Sequence, residues 1–349
     1  MDYLQPPLLQ NSDNEPRRVG FEIEFGGLTI REIAAALHKR LGGEIRQYNP
    51  YHFEIRDSTL GNIKVERDAE LLKSAKYRDL LNLLNIDFNP DTLANEIEHG
   101  IDRLSSLIIP CEIVTQPLDF ADFGKLNHIV ELLNHMHAKG TQETFFYAFG
   151  LHINPAAPDL THTTLLSYLR AFLLLTDWII EESAIDFSRR FFTNYINPFP
   201  RAYVDTVLAR HYQPTSVQFI DDYLRHNPTR NRALDMLPLL CLLDKDRVLT
   251  GINKEERSLL SCRPAFHYRL PDCRLGDRRW SITAEWNRWW YVEVFAAKTV
   301  LLDELLNIWH KHWNASLFPQ KKQWTATVRT FLESHIDPQA DPPWINVPS

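Results

Sequence analysis

The chain is poor in several things at once. Glycine is scarce, 12 of 349 residues. A glycine-rich loop that cradles phosphates on backbone amides is therefore not expected. Cysteine is scarcer still, with Cys111, Cys241, Cys262 and Cys273 scattered along the chain. That is too few for a disulfide framework or a zinc ribbon, and Cys262 and Cys273 read as strand thiols. There is no basic block. Lys plus Arg total 38 against 45 Asp plus Glu, a net charge of −7. Without clustered cations to displace counterions, no nucleic-acid partner is expected. Long apolar runs are missing too. The most apolar stretch, Leu165 to Ile180, is interrupted by Arg170 and Asp177. Residues 1–18 carry Pro6, Pro7 and Pro16 and no apolar centre. Neither a membrane span nor a signal peptide is expected, and the protein is placed in the cytoplasm.

What remains is an ordinary globular composition, 44% hydrophobic and 24% charged. It has ample material for a core. Residues 1–18 read as a flexible arm, 19–335 as one catalytic domain with a helical insert at about 160–245, and 336–349 as a Pro-rich tail. In the first strand Val19, Phe21, Ile23 and Phe25 alternate with Gly20, Glu22, Glu24 and Gly26, so one face is apolar and the other carries two carboxylates. Thr29 and Glu32 have capping-box spacing for a helix to Leu41, with Ile30, Ile33, Leu37 and Leu41 on one face. Tyr51 to Arg56 alternates as a strand, Asp57-Ser58 turns, and a short strand follows around Ile63 to Glu66. Helices are predicted at 72–86, 91–109 and 123–139, and strands at 111–115, 145–154 and 262–270. A tryptophan-rich helix over 282–312, with room for one break, and a last helix near 321–334 complete the reading. Its tryptophans, at helical spacing, read as core.

The polar faces of the strands carry the candidate chemistry. Glu22 and Glu24, two apart on one strand face, lie roughly 7 Å apart, and like charges so placed repel unless a cation intervenes. Glu112 opens a second acidic strand, His152 sits in Gly150-Leu151-His152-Ile153-Asn154, and His267 shares strand parity with Arg269 and, more weakly, Arg263. Carboxylates with an imidazole suit Mg²⁺ or Mn²⁺. Glu285 and Asn287 read either as residues looking toward the site or as a solvated helix face. Arg230-Asn231-Arg232, before a helix, is a minor candidate for approaching a phosphate or an acidic substrate group.

The order of these elements resembles the amidoligase branch of the glutamine synthetase-like carboxylate–amine ligases, with the glutamate–cysteine ligases as more distant relatives. Gly20-Phe21-Glu22-Ile23-Glu24 is similar to the family's metal-binding strand. Asp57-Ser58-Thr59-Leu60, Glu112-Ile113-Val114-Thr115-Gln116-Pro117, Gly150-Leu151-His152-Ile153-Asn154 and His267-Tyr268-Arg269 are similar to its later motifs in the same order. The resemblance implies an α+β catalytic fold, a curved antiparallel sheet with helices behind it and a helical insert. It implies ATP-dependent ligation of an amine to a carboxylate through an acyl phosphate. Glu22, Glu24, Glu112 and His152 would hold Mg²⁺ or Mn²⁺, and Asp57, His267 and Arg269 would serve ATP. Arg269, His152 and Arg263 would act at the reacting centre, an arginine fork suiting phosphate or carboxylate. The partners would be small-molecule or peptide acids and amines. Two positions depart from the pattern. Asn154 stands for a second histidine and His267 for a glutamate, which leaves open the number of metals and a catalytically inactive binding or scaffold member. A phosphoryl transferase or metal-dependent hydrolase could use the same carboxylates. Acid, amine and oligomeric state are not specified by the sequence.

Overall fold

A computed structural model describes residues 2–67, 110–141, 149–185, 196–314 and 320–338. The helices expected at 72–86 and 91–109, the start of the strand expected at 145–154 and most of the tail lie outside them. Where one domain is expected over 19–335, the chain divides into two compact units. A sheet unit comprises Gly20–His152 and Asp272–Ile282, and a helical unit comprises Met1–Val19, Ile153–Pro271 and Thr283–Ser349. The protein is of the α+β class.

The sheet unit is built on strands β1 (Val19–Phe25), β2 (Glu44–Asn49), β3 (His52–Ser58), β4 (Gly61–Arg67) and β5 (Cys111–Thr115). Their order is β2-β3-β4-β5-β1, with antiparallel pairing throughout. Alternation works as the sequence predicts: Val19, Phe21, Ile23 and Phe25 are each 0% exposed. Fully burying such side chains contributes about 1.5–3 kcal/mol each. Helix α1 (Ile30–Leu41) starts at a complete Thr29–Glu32 capping box and buries Ile30, Ile33, Ala34, Leu37 and Leu41. It packs on β3 and β4, and on helix α2 (Leu126–His135). The helix predicted over 123–139 is shorter than expected: a 3-10 turn over Phe120–Lys125 leads into α2. Phe123 from that turn meets Phe21 edge to face, with ring centroids 5.1 Å apart.

The chain enters the helical unit along strand β6 (Leu151–Pro155). There β6 pairs with β8 (His267–Tyr268), and β8 pairs with β7 (Leu234–Asp235), both antiparallel. The strand predicted over 262–270 is thus only two residues long. Around these strands stand α3 (His162–Glu182), α4 (Arg201–Val207), α5 (Ser216–His226), α6 (Leu237–Leu243), α7 (Lys245–Gly251) and α8 (Lys254–Leu259). Three longer helices follow: α9 (Ile282–Ala297), α10 (Thr299–Asn314) and α11 (Lys321–His335). The tryptophan-rich helix is therefore interrupted once, at Lys298. By length and composition α3 passes for a membrane span, yet 56% of that apolar window is buried inside the protein. Trp286 and Trp289 are 0% exposed, in keeping with a core role.

Three features of the helical unit differ from expectation. Residues 1–18 are seated rather than loose. Trp286 Nε1 donates to the Leu4 carbonyl at 2.7 Å and Trp290 Nε1 to the Gln5 carbonyl at 2.6 Å. Asn287 accepts the Leu4 amide at 3.0 Å. Arg17, 1% exposed, makes a two-toothed ion pair with the fully buried Glu293, at 3.0 and 2.9 Å. Tyr168 also donates to Glu293, and so does Trp289 Nε1 at 2.9 Å. Burial works against the Arg17 charge, but Glu293 and Tyr168 outweigh it and raise its pKa. Second, Glu285 is no solvated face. It is buried, accepting from the Ser183 hydroxyl at 2.8 Å and pairing with Arg288 at 2.9 Å. Third, Cys262 is no strand thiol but is bonded to Cys241.

Candidate functional site

The antiparallel register does what sequence spacing alone cannot. It sets Glu24 of β1 opposite Glu112 of β5, and Glu112 opposite Glu66 of β4. Three glutamates thus run side by side across three strands. Directly opposed residues have Cβ atoms about 4.5–5.5 Å apart, where like charges destabilise the pair. Glu66 continues to His52 of β3, its opposite number, whose Nδ1 lies 4.0 Å from the Glu66 carboxylate. Glu22 lies one step along β1 on the same face, opposite Val114.

His152 closes the cluster. The Gly150 carbonyl accepts the Glu24 backbone amide at 3.0 Å, and the Gly150 amide donates to the Glu24 carboxylate at 2.7 Å. This lays the Gly-Leu-His segment along β1. The imidazole then bridges two carboxylates. Its Nδ1 is 2.8 Å from Glu22 Oε2, and its Nε2 is 3.7 Å from Glu24 Oε1. All three side chains are largely buried, at 7%, 15% and 14% exposure for His152, Glu22 and Glu24. Gly150 is a glycine for a local reason. A Cβ there would stand 2.7 Å from His152 Nε2 and 3.2 Å from Glu24 Oε2.

Glu24, Glu112 and His152 each offer a ligand atom, and these atoms lie within 4.8 Å of one another. Two opposed carboxylates and an imidazole on one face fit a divalent cation in donor chemistry and in charge. The field of these carboxylates reaches Cys273. Burial first, and Glu24 second, push its thiol far above the usual range, so it is no thiolate nucleophile at neutral pH.

Of the remaining candidates, Asp57 belongs to the sheet unit and His267, Arg269 and Arg263 to the helical unit. Asp57 is at the β3–β4 turn, with a left-handed backbone (φ 53°) and its amide bonded to Asn62 Oδ1. It stands five residues along β3 from His52, about 16 Å of strand, and so is not part of the glutamate row. His267 Nδ1 is 3.4 Å from Asp235 Oδ2, Arg269 Nη1 donates to the Arg230 carbonyl at 3.3 Å, and Arg263 Nη2 donates to Asn154 Oδ1 at 3.1 Å. Reading the sequence alone misses Glu66 and Asp235 as members of these clusters. Glu66 was open to discovery, since it alternates with the buried Ile63 and Val65. Asp235 was not, because a two-residue strand has no period to read.

An α+β protein whose antiparallel strands line up carboxylates and an imidazole on one face is, by class, a candidate metal-dependent enzyme. A family model described as "Putative amidoligase enzyme" matches residues 15–291, a span that includes every residue of both clusters. The chain belongs to that family. Neither curated proteins nor solved structures give a match to it.

Proposed function

We propose that the protein is an ATP-dependent carboxylate–amine ligase on a glutamine synthetase-like catalytic fold, with Mg²⁺ or Mn²⁺ at the carboxylate cluster. Family membership supports a ligase. The observation that carries the metal is the Glu24–Glu112 opposition with His152 Nε2 beside it, a like-charge pair that a cation would neutralise. Glu24, Glu112 and His152 would be the ligands. Glu22, on the other imidazole nitrogen, would fix the tautomer that turns the Nε2 lone pair toward a metal. The cation would supply charge neutralisation for the transferring phosphoryl group.

In the proposed reaction an oxygen of the acid attacks the γ-phosphorus of ATP, and the bond to ADP breaks. The resulting acyl phosphate is a far better acyl donor than a carboxylate. The amine attacks its carbonyl carbon, loses a proton and expels phosphate, leaving an amide. Arg269 would stabilise the charge that develops on the phosphoryl oxygens, where a preorganised donor is worth the most. His267 would serve the nucleotide beside it. Asn154 engages Arg263 rather than a metal in this reading.

ADP release screened over amino acids, polyamines and short peptides tests it. Release that requires both an acid and an amine supports the ligase. Release with one of them alone points to a phosphoryl transferase or hydrolase, and failure to bind Mg-ATP to a binding or scaffold protein.

A further inference from the structure

Asp235 is a carboxylate with no access to water, at 0% side-chain exposure. It sits on β7, directly opposite His267 on β8. Its Oδ1 accepts the Leu237 amide at 3.0 Å, which starts α6. Its Oδ2 faces Arg230 Nε at 3.5 Å and His267 Nδ1 at 3.4 Å. Arg269, two residues beyond His267, shares the same strand parity. Its amide donates to Ala233 at 2.9 Å, and its guanidinium to the Arg230 carbonyl at 3.3 Å. Arg230 and His267 thus flank one buried carboxylate, and Arg269 is tied to the Arg230 backbone.

Arg230 differs from its neighbours in being reachable. Its side chain is 21% exposed, while Asp235 behind it is 0%. The guanidinium is also held by the Leu259 carbonyl, through Nη1 at 2.8 Å. Glu256 accepts the Arg230 backbone amide at 3.1 Å and so shapes the loop rather than the guanidinium. A cation anchored from behind by a buried carboxylate, with its outer side open, is preorganised to receive an anion.

We propose that Arg230 is a binding residue for a phosphate-type oxyanion beside Arg269, and that Asp235 is the positioning residue that aims it. A multiply charged phosphoryl group suits two guanidiniums better than a single carboxylate does. The assignment to the nucleotide's phosphates rests on the ligase reading; the oxyanion site itself does not.

The test is calorimetry with metal-free inorganic pyrophosphate, repeated with Mg-ATP, on wild type, Arg230→Gln, Asp235→Asn and the double variant. Asp235→Asn keeps the acceptor for the Leu237 amide and removes the charge. Each single variant is expected to weaken pyrophosphate about tenfold or more, the usual scale for a charge-assisted hydrogen bond. The double variant is expected to bind within about twofold of Arg230→Gln, because Asp235 acts through Arg230. A purely structural Asp235 would instead lower the melting temperature and leave that coupling at zero. Wild-type pyrophosphate affinity in Arg230→Gln, or losses that simply multiply in the double variant, overturns the proposal. If Asp235→Asn does not fold, Arg230→Gln decides alone. Failure of wild type to bind pyrophosphate sinks the site even if ADP release succeeds. Pyrophosphate binding that weakens as expected without any Mg-ATP binding leaves the site standing and overturns the ligase reading.

Discussion

Gly150→Ala perturbs the cluster without touching a ligand. The glycine's φ is outside the left-handed region, so alanine is acceptable to the backbone, and its amide can still donate to Glu24. The new methyl group would stand 2.7 Å from His152 Nε2 and 3.1 Å from Cδ2, where ordinary contact begins at 3.4 Å. The imidazole must move by the difference, about 0.7 Å, yet metal–ligand distances tolerate only about 0.2 Å. The ring has little room to retreat. It is 7% exposed and held on its far nitrogen by Glu22 at 2.8 Å. Displacing a ligand's support in this way typically costs 10–100-fold in metal affinity, and the overpacking about 1–3 kcal/mol in stability. Titration with Mn²⁺, read by calorimetry, measures the first, and thermal melting the second. Gly124→Ala is the control, because a Cβ there meets nothing within 4 Å. A folded Gly150→Ala protein with wild-type Mn²⁺ affinity would show that His152 Nε2 is not a ligand.

Two further outcomes concern the helical unit. Glu293→Gln leaves the buried Arg17 without its countercharge and is expected to cost about 3–5 kcal/mol in chemical denaturation, whereas replacing both partners together with apolar residues recovers most of it. Burial raises the pKa of Tyr168, Tyr203 and Tyr223 well above the usual 10.0. Their contribution is fully present below pH 10 and is lost above it, as the unfolded chain releases protons that the folded one retains. Stability should fall by up to about 1.4 kcal/mol per tyrosine for each pH unit above 10. Melting temperatures that stay flat from pH 9 to 11 would contradict this.

How much of this could be read in the sequence depended on range. The β1 alternation, the Thr29 capping box and the apolar face of α1 are local, and each is found where the residues put it. Glu22, Glu24, Glu112 and His152 were legible as polar members of strands. Their opposition was not, because the Glu24–Glu112 register joins residues far apart in the chain, and no local pattern fixes it. The arm is seated for a reason that composition hides. Indole N–H groups buried in α9 need acceptors, and the carbonyls of Leu4 and Gln5 supply them. The Cys241–Cys262 bond rests on proximity between α6 and the segment before β8, which spacing does not reveal. Asp235 escaped because its strand is too short to show alternation.

The central claim is that the glutamate row is held together by a divalent cation, and thermal melting of Glu112→Gln with and without Mn²⁺ tests it most directly. Glu112 faces a glutamate on either side, so removing its charge relieves repulsion in the metal-free protein. The account predicts a metal-free variant as stable as wild type or more so, by about 0.2–1 kcal/mol, and loss of the rise in melting temperature that Mn²⁺ gives the wild type. A variant that is destabilised without metal yet still rises with Mn²⁺ as wild type does would contradict it.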